Sequence, residues 1–154
     1  MGVKSVVIGP ARDADVSALV GLLDLLFTLE PDFSPDAAAQ RAGLALILNR
    51  PETGRIFVAR SGDDILGMVS LLNSVSTALG GPVGWLEDLI VAPAHRGLGI
   101  GSLLVGHALQ VAREQGMLRV TLLTGADNLS AQRFYRRHGF RDSGMLPFRR
   151  LLAE

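Results

Sequence analysis

Apolar positions recur along this chain with two different periods, and the switches between them outline its elements. Lys4–Ile8 is valine-rich and reads as a first strand, closed by Pro10. Val16, Leu19, Val20, Leu23, Leu26 and Phe27 follow at three- and four-residue spacing, which is the stripe of a helix with one face on a core. Asp13 or Asp15 is its expected cap, and Pro31 ends it. Ser34 before Pro35 predicts the start of a second helix, running to Leu48, before Asn49, Pro51 and Gly54 break the chain. Arg55–Arg60 and Ile65–Val75 read as strands joined by a Ser61-Gly62-Asp63-Asp64 turn. After a Gly80-Gly81-Pro82 turn, Val83–Val91 is the next strand, stopped by Pro93. A helix is expected from about Gly99–Gly101 to Gln115, ended by Gly116. Met117–Thr124 is read as a strand, Asn128–His138 as a short helix ended by Gly139, and Phe140–Leu152 as one or two further strands.

This order predicts an α/β (α+β) fold, a mixed sheet with helices on its faces. No linker, repeat or low-complexity stretch divides the 154 residues, so one domain over 1–154 is expected. With 48% apolar and 19% charged residues the chain has the material for a packed core. Lysine plus arginine equals aspartate plus glutamate at 15 each, which gives no global attraction to nucleic acid or to an anionic membrane. There is no cysteine, so disulfides, thiolate metal sites and a cysteine nucleophile are excluded. The first ten residues lack the apolar core of a signal peptide, and no apolar run is long enough to span a bilayer. A soluble cytoplasmic protein is the expectation.

The candidate chemistry begins at Arg96-Gly97-Leu98-Gly99-Ile100-Gly101-Ser102, between a predicted strand and a predicted helix. Alternate glycines let the backbone take positive φ and turn several N–H groups toward one ligand. The helix adds unpaired donors and the positive end of its dipole. Phosphate oxygens fit such a site, with Arg96 and Ser102 as side-chain donors; a plain tightened turn is the alternative. A Walker A loop is missing its lysine, and a dinucleotide fingerprint is broken at Ser102 and lacks its acid, since Thr121 stands there.

The pattern Arg-x-x-Gly-x-Gly after a strand resembles that of the GCN5-related N-acetyltransferases. Leu86-Glu87-Asp88-Leu89-Ile90-Val91-Ala92-Pro93-Ala94-His95-Arg96-Gly97 looks like that family's fourth strand entering its pyrophosphate loop. Asn128, Ala131, Phe134, Tyr135, Gly139 and Phe140 are spaced like its C-terminal helix and the strand after it, and Pro10–Asp15 is a looser match to the opening of its first helix. The resemblance is specific over residues 85–140 and implies a mostly antiparallel central sheet with helices on both faces. It implies acetyl-coenzyme A as co-substrate, no metal, and an amine acceptor, a small primary amine by preference. Homodimers are common in the family, though no stripe here demands one. A catalytically silent acyl-coenzyme A sensor is the alternative function.

In that family the fourth and fifth strands splay, and the pantetheine arm pairs with fourth-strand backbone, which implies Leu89, Ile90 and Val91 here. Gly97, Leu98, Gly99, Ile100, Gly101 and Ser102 would hold the pyrophosphate with Arg96. With no cysteine, direct attack by the amine is expected. An amine of pKa ~10.4 is well under about 1% neutral at pH 7, so a base is useful. Glu87 is the first choice; binding a substrate cation or simple solvation are its alternatives. Strict alternation puts Glu87 with Trp85 and Leu89 on one face, and Asp88, read as structural, with Leu86 and Ile90 on the other. Tyr135, the only tyrosine, stands where the family often carries the acid that protonates the leaving thiolate; packing beside Phe134 is the alternative. Asn128 is read as a helix cap, with a cofactor contact added to the cap or the cap alone as its two readings. His95, His107 and His138 are not spaced for a metal and read as surface or loop residues. Arg133, Arg136, Arg137 and Arg141 read as a solvated helix face, with one of them a guess for the 3′-phosphate. Asp32 and Phe33 are placed at the acceptor pocket, with Trp85 beside them or in the core.

Overall fold

The computed structural model describes residues 5–153. They fall into two compact units, one ending at Leu123 and one beginning at Thr124.

In the larger unit, β1 (Val7–Pro10), α1 (Val16–Thr28), α2 (Ala37–Leu48), β2 (Gly54–Ser61), β3 (Asp64–Ser76), β4 (Gly81–Val91), α3 (Ile100–Glu114) and β5 (Val120–Leu122) follow one another. The five strands form one sheet in sequence order. The first four are antiparallel, and β5 alone runs parallel to its neighbour β4. The expected mixed, mostly antiparallel sheet is therefore present.

Strand alternation divides the core between the two faces. Ile56, Val58, Met68 and Ile90 meet Leu19, Val20, Leu22 and Leu23 of α1 and Leu44 of α2 on one face. Phe57 and Gly67 point the other way, toward α3. The Phe57 ring meets His107 edge-on at 4.8 Å. A Cβ on Gly67 would lie 2.9 Å from the Ile90 carbonyl and 3.1 Å from Leu104, so only glycine lets α3 sit so close. His107 is thus a packing residue rather than the surface residue expected.

The caps differ from the sequence reading for local reasons. Asp15 does not cap α1. Its carboxylate accepts from the Arg12 backbone at 2.8 Å and takes a bidentate pair from Arg60 at 3.0 and 2.7 Å. That pairing, chiefly through the Arg60 hydrogen bonds, holds its carboxyl below the usual carboxylate range. The second helix begins at Ala37, capped by Asp36 rather than Ser34. Asp36 accepts from Ala39 N–H at 3.1 Å, and its own N–H donates to Gln40 Oε1 at 2.8 Å. The buried Gln40 amide then donates to Val20 O and Asp24 Oδ1, tying α2 to α1.

In the smaller unit, α4 (Leu129–Arg137) is capped by Asn128, whose Oδ1 accepts from Ala131 N–H at 3.1 Å. The strands expected in Phe140–Leu152 do not form among the described residues. Gly144 takes a φ of 73°, and Asp142 and Ser143 bond the N–H groups of Gly144 and Met145. Those side chains offer the backbone a turn in place of a ladder. The strand expected over Met117–Thr124 is likewise only Val120–Leu122. Of the first strand expected at Lys4–Ile8, Lys4 lies outside the described residues; pairing with β2 runs from Val7 through Pro10.

Candidate functional site

The glycine loop takes the shape its composition requires. Pro93–His95 forms a single 3-10 turn after β4, and Gly97 and Gly99 adopt φ values of 77° and 82°. Gly99 is the residue before the first turn of α3, and Leu103 N–H donates to its carbonyl at 3.1 Å. None of the five successive N–H groups from Gly97 to Gly101 donates to a protein acceptor among the described residues. Space beside Gly97 and Gly99 is open where side chains would stand. Arg96 donates from Nε to the Val91 carbonyl at 3.0 Å, tying the loop to the end of β4. Leu98 is exposed, while Ile100 is buried and anchors the helix start. The result is a run of amides with a helix dipole behind it, suited to an anion with several oxygens.

Beside the loop, β4 changes character halfway along. Gly84, Trp85 and Leu86 pair with Val120, Thr121 and Leu122, but no strand among the described residues lines that edge beyond Leu86. At the same place the β3 register slips: Glu87 stands opposite Ser70 and Ile90 opposite Met68. Asp88 and Leu89 therefore face Val69 alone, a β-bulge. Asp88 has a φ of 53°, the only positive value outside glycine among the described residues. Aspartate tolerates this region better than most residues, yet the conformation still costs energy.

The bulge corrects the strict alternation expected from sequence. Glu87 shares its face with Trp85, as expected, but also with Ile90, because the extra residue resets the pleat. This is the face on which α1 and α2 pack. Glu87 is exposed there. Asp88 is partly buried and has no hydrogen-bond or ionic partner among the described residues. Burial pushes its pKa up to about 6, and the negative charges of Glu87 and of Glu30, just past α1, add to the effect.

The remaining candidates divide between the units. Phe33 lies between α1 and α2 and packs on Phe27 at 5.9 Å, with Asp32 beside it in sequence. Trp85 is only partly buried. In the smaller unit Tyr135 lies on α4 between Phe134 and Phe140, at 5.2 and 5.8 Å. Burial holds its phenol above the ordinary range, so it is protonated at neutral pH. Arg133, Arg136, Arg137 and Arg141 are exposed. Among the described residues no group of three or more His, Asp or Glu side chains could hold a metal, and no helix is long and apolar enough to cross a membrane.

Residues 20–140 match the family described as Acetyltransferase (GNAT), a span that covers most of the chain and reaches into both of its compact units. This protein is a GNAT. It is 31% identical over 133 residues to aminoalkylphosphonate N-acetyltransferase of Salmonella typhimurium, covering 86% of this chain and 83% of that one. It is 34% identical to streptothricin acetyltransferase of Streptomyces lavendulae, covering 88% and 81%. Rat N-acetyltransferase family 8 member 2 is 38% identical over 59% of this chain, which spans only 40% of that protein's length. In fold, a possible acetyltransferase from Clostridium difficile 630 superposes with a TM-score of 0.86 at 15% identity, over 97% of this chain and 99% of that one. AAC(6')-Iy, solved with the bisubstrate analogue CoA-S-monomethyl-acetylneamine, superposes at 0.79 and 20% identity, over 97% and 99%.

Three features of this GNAT escaped the sequence reading: the strained, partly buried Asp88, the approach of Glu30 to it, and Ser70 opposite Glu87. For Asp88 there was a signal. Aspartate is depleted in strand interiors and tolerates positive φ, so its place inside an apolar strand is the mark of a bulge.

Proposed function

We propose that this chain is an acetyl-coenzyme A-dependent N-acetyltransferase that passes the acetyl group directly to an amine. The observation that carries the proposal is the run of five unpaired amides, Gly97 to Gly101, opening beside the bare edge of β4. The amides, with Arg96 and Ser102, bind the diphosphate of the co-substrate. The backbone of Leu89, Ile90 and Val91 lies along its pantetheine arm, and Asn128 adds a cofactor contact from the cap of α4. An N–H on this edge donates to the thioester oxygen as it gains negative charge.

In the reaction the amine nitrogen forms a bond to the acetyl carbon, and the bond from that carbon to sulfur breaks. Glu87 takes the proton the amine loses, directly or through water, because it is the exposed carboxylate next to the cofactor edge on the α1 side. Tyr135 returns a proton to the departing thiolate. Its half-buried phenol keeps that proton available at neutral pH. The acceptor class is a primary amine, in line with the amine acceptors in the names of relatives such as the Salmonella enzyme.

Thermal denaturation tests the binding half. Coenzyme A at a hundred times its dissociation constant should stabilise the protein by about 2.7 kcal/mol, and NAD or ATP should not. Thiol release from acetyl-coenzyme A with a panel of amines tests the transfer half. Stabilisation by coenzyme A without thiol release from any amine would leave a silent acyl-coenzyme A binder.

A further inference from the structure

Gly67 stands in the interior of β3, where glycine is a poor choice. It costs backbone entropy there and packs no side chain against its neighbours. Its φ is not among the positive values, unlike those of Gly97 and Gly99, so no turn requires it. Space requires it. A Cβ at this position would lie 2.9 Å from the Ile90 carbonyl oxygen, 3.1 Å from Leu104 Cδ1 and 3.4 Å from Val91 Cα. Gly84, in the regular half of β4, is crowded instead by side chains, the Met117 sulfur at 2.8 Å and a Leu71 methyl at 2.9 Å. Such tips can swing aside. The nearest obstacle at Gly67 is backbone, and Leu104 beside it is fully buried, so neither gives way unless a whole element moves.

Each element that would move carries one half of the candidate site. Ile90 and Val91 belong to the half of β4 beyond its pairing with β5, and Gly67 is the ladder partner of Val91. Leu104 lies one turn into α3, the helix that begins at the run of unpaired amides from Gly97 to Gly101. The chain between the halves is referred to β3 as well. Leu66 O accepts from Ala92 N–H at 2.8 Å, and Val91 O accepts from Arg96 Nε at 3.0 Å. The glycine loop is thus held at its entry by β3 and β4 and at its exit by α3. Gly67 is where these three elements meet.

We infer that Gly67 is a positioning residue for the co-substrate. By letting α3 close onto β3 and β4, it sets the distance between the amides that take the diphosphate and the strand edge that takes the pantetheine arm. The inference rests on the coenzyme A reading and adds to it a residue on the neighbouring strand. Coenzyme A joins its diphosphate to its pantetheine arm by covalent bonds. A whole molecule therefore gains from both halves of the site only when their separation matches its own. A fragment that ends at the diphosphate is indifferent to that separation. A methyl group on Gly67 acts on the whole ligand and spares the fragment.

Calorimetric titration of the Gly67→Ala protein tests this with two probes, coenzyme A and 3′-phosphoadenosine 5′-diphosphate, the portion of it that ends at the diphosphate. Coenzyme A should bind about tenfold more weakly than to the unaltered protein, while the fragment keeps its affinity within about twofold. In turnover the KM for acetyl-coenzyme A should rise while that for the amine holds. A less stable protein with unchanged coenzyme A affinity makes Gly67 a packing residue only and overturns the inference. Equal weakening of both probes overturns it too, since the loop itself is then deformed. Should Gly67→Ala fail to fold, Leu104→Val decides. It keeps the glycine, removes the Cδ1 contact that holds α3 off β3, and should weaken coenzyme A by about threefold without affecting the fragment; unchanged coenzyme A affinity overturns the inference. The unaltered protein separates the two readings. If it binds neither probe, the coenzyme A reading itself falls; if it binds both and the variants match it, only the role of Gly67 falls.

Discussion

The two halves of β4 are one strand with two physical characters. From Gly81 to Leu86 it is paired with β3 on one edge and, over its last three residues, with β5 on the other; Val83 and Leu86 are buried. From Glu87 to Val91 it loses β5, bulges, and carries two acids. Continuous ladders make the first half rigid, while the second half departs from ladder geometry at the point where the glycine loop begins. Regular pairing serves the core, and the irregular half leaves backbone and charge unpaired among the described residues.

This contrast can be attacked from either side. The largest effect is expected at Glu87: Glu87→Gln should lower kcat by about a hundredfold or more, the usual scale of a general base, with no change in melting temperature. A variant at full rate removes Glu87 from the mechanism. Leu86, one residue earlier and 4% exposed, should behave oppositely. Leu86→Ala is expected to destabilise by about 3 kcal/mol through lost burial and a cavity, measured by urea unfolding. Gly99→Ala forces a methyl group into a left-handed position with open space around it. That strain is about 1–2 kcal/mol, so coenzyme A should bind roughly tenfold more weakly, or the loop should open and lower stability by that amount.

The smallest effect sharpens the comparison most. Asp88 has a pKa raised from 3.8 to about 6 in the folded protein. A carboxyl raised by folding adds stability fully below its unfolded pKa and loses it as pH rises through the folded value. Stability should therefore fall across about pH 4 to 6 on account of this group. An asparagine in its place keeps the tolerance of positive φ without the charge. Asp88→Asn should stabilise the protein by about 1 kcal/mol at pH 7.5, after allowance for solvent screening, and by nothing at pH 3.5. A stability gain independent of pH would show that backbone strain rather than charge is the cost at this position.

Much of the site was legible because it depends on local chemistry. Gly97 and Gly99 mark positive φ wherever they stand between a strand and a helix, and that expectation needed no neighbour. Helix stripes such as Leu19, Val20 and Leu23 were legible for the same reason. What failed were features that require a second segment. Asp15 looked like a cap until Arg60, forty-five residues later, claimed its carboxylate. The tail from Phe140 reads as strand, but Phe148 is 94% exposed and no edge takes it among the described residues.

By itself the sequence determined the order of elements, the glycine loop that turns amides outward, and the family these residues belong to, since each rests on spacing within one stretch of chain. Tertiary structure alone decided where β4 bulges, which face Ile90 joins, that Ser70 stands opposite Glu87, and that Glu30 acts electrostatically on Asp88. Register is a relation between strands, and a pleat of period two reverses whenever one extra residue enters. Charges likewise raise one another's pKa only across the distances that folding sets.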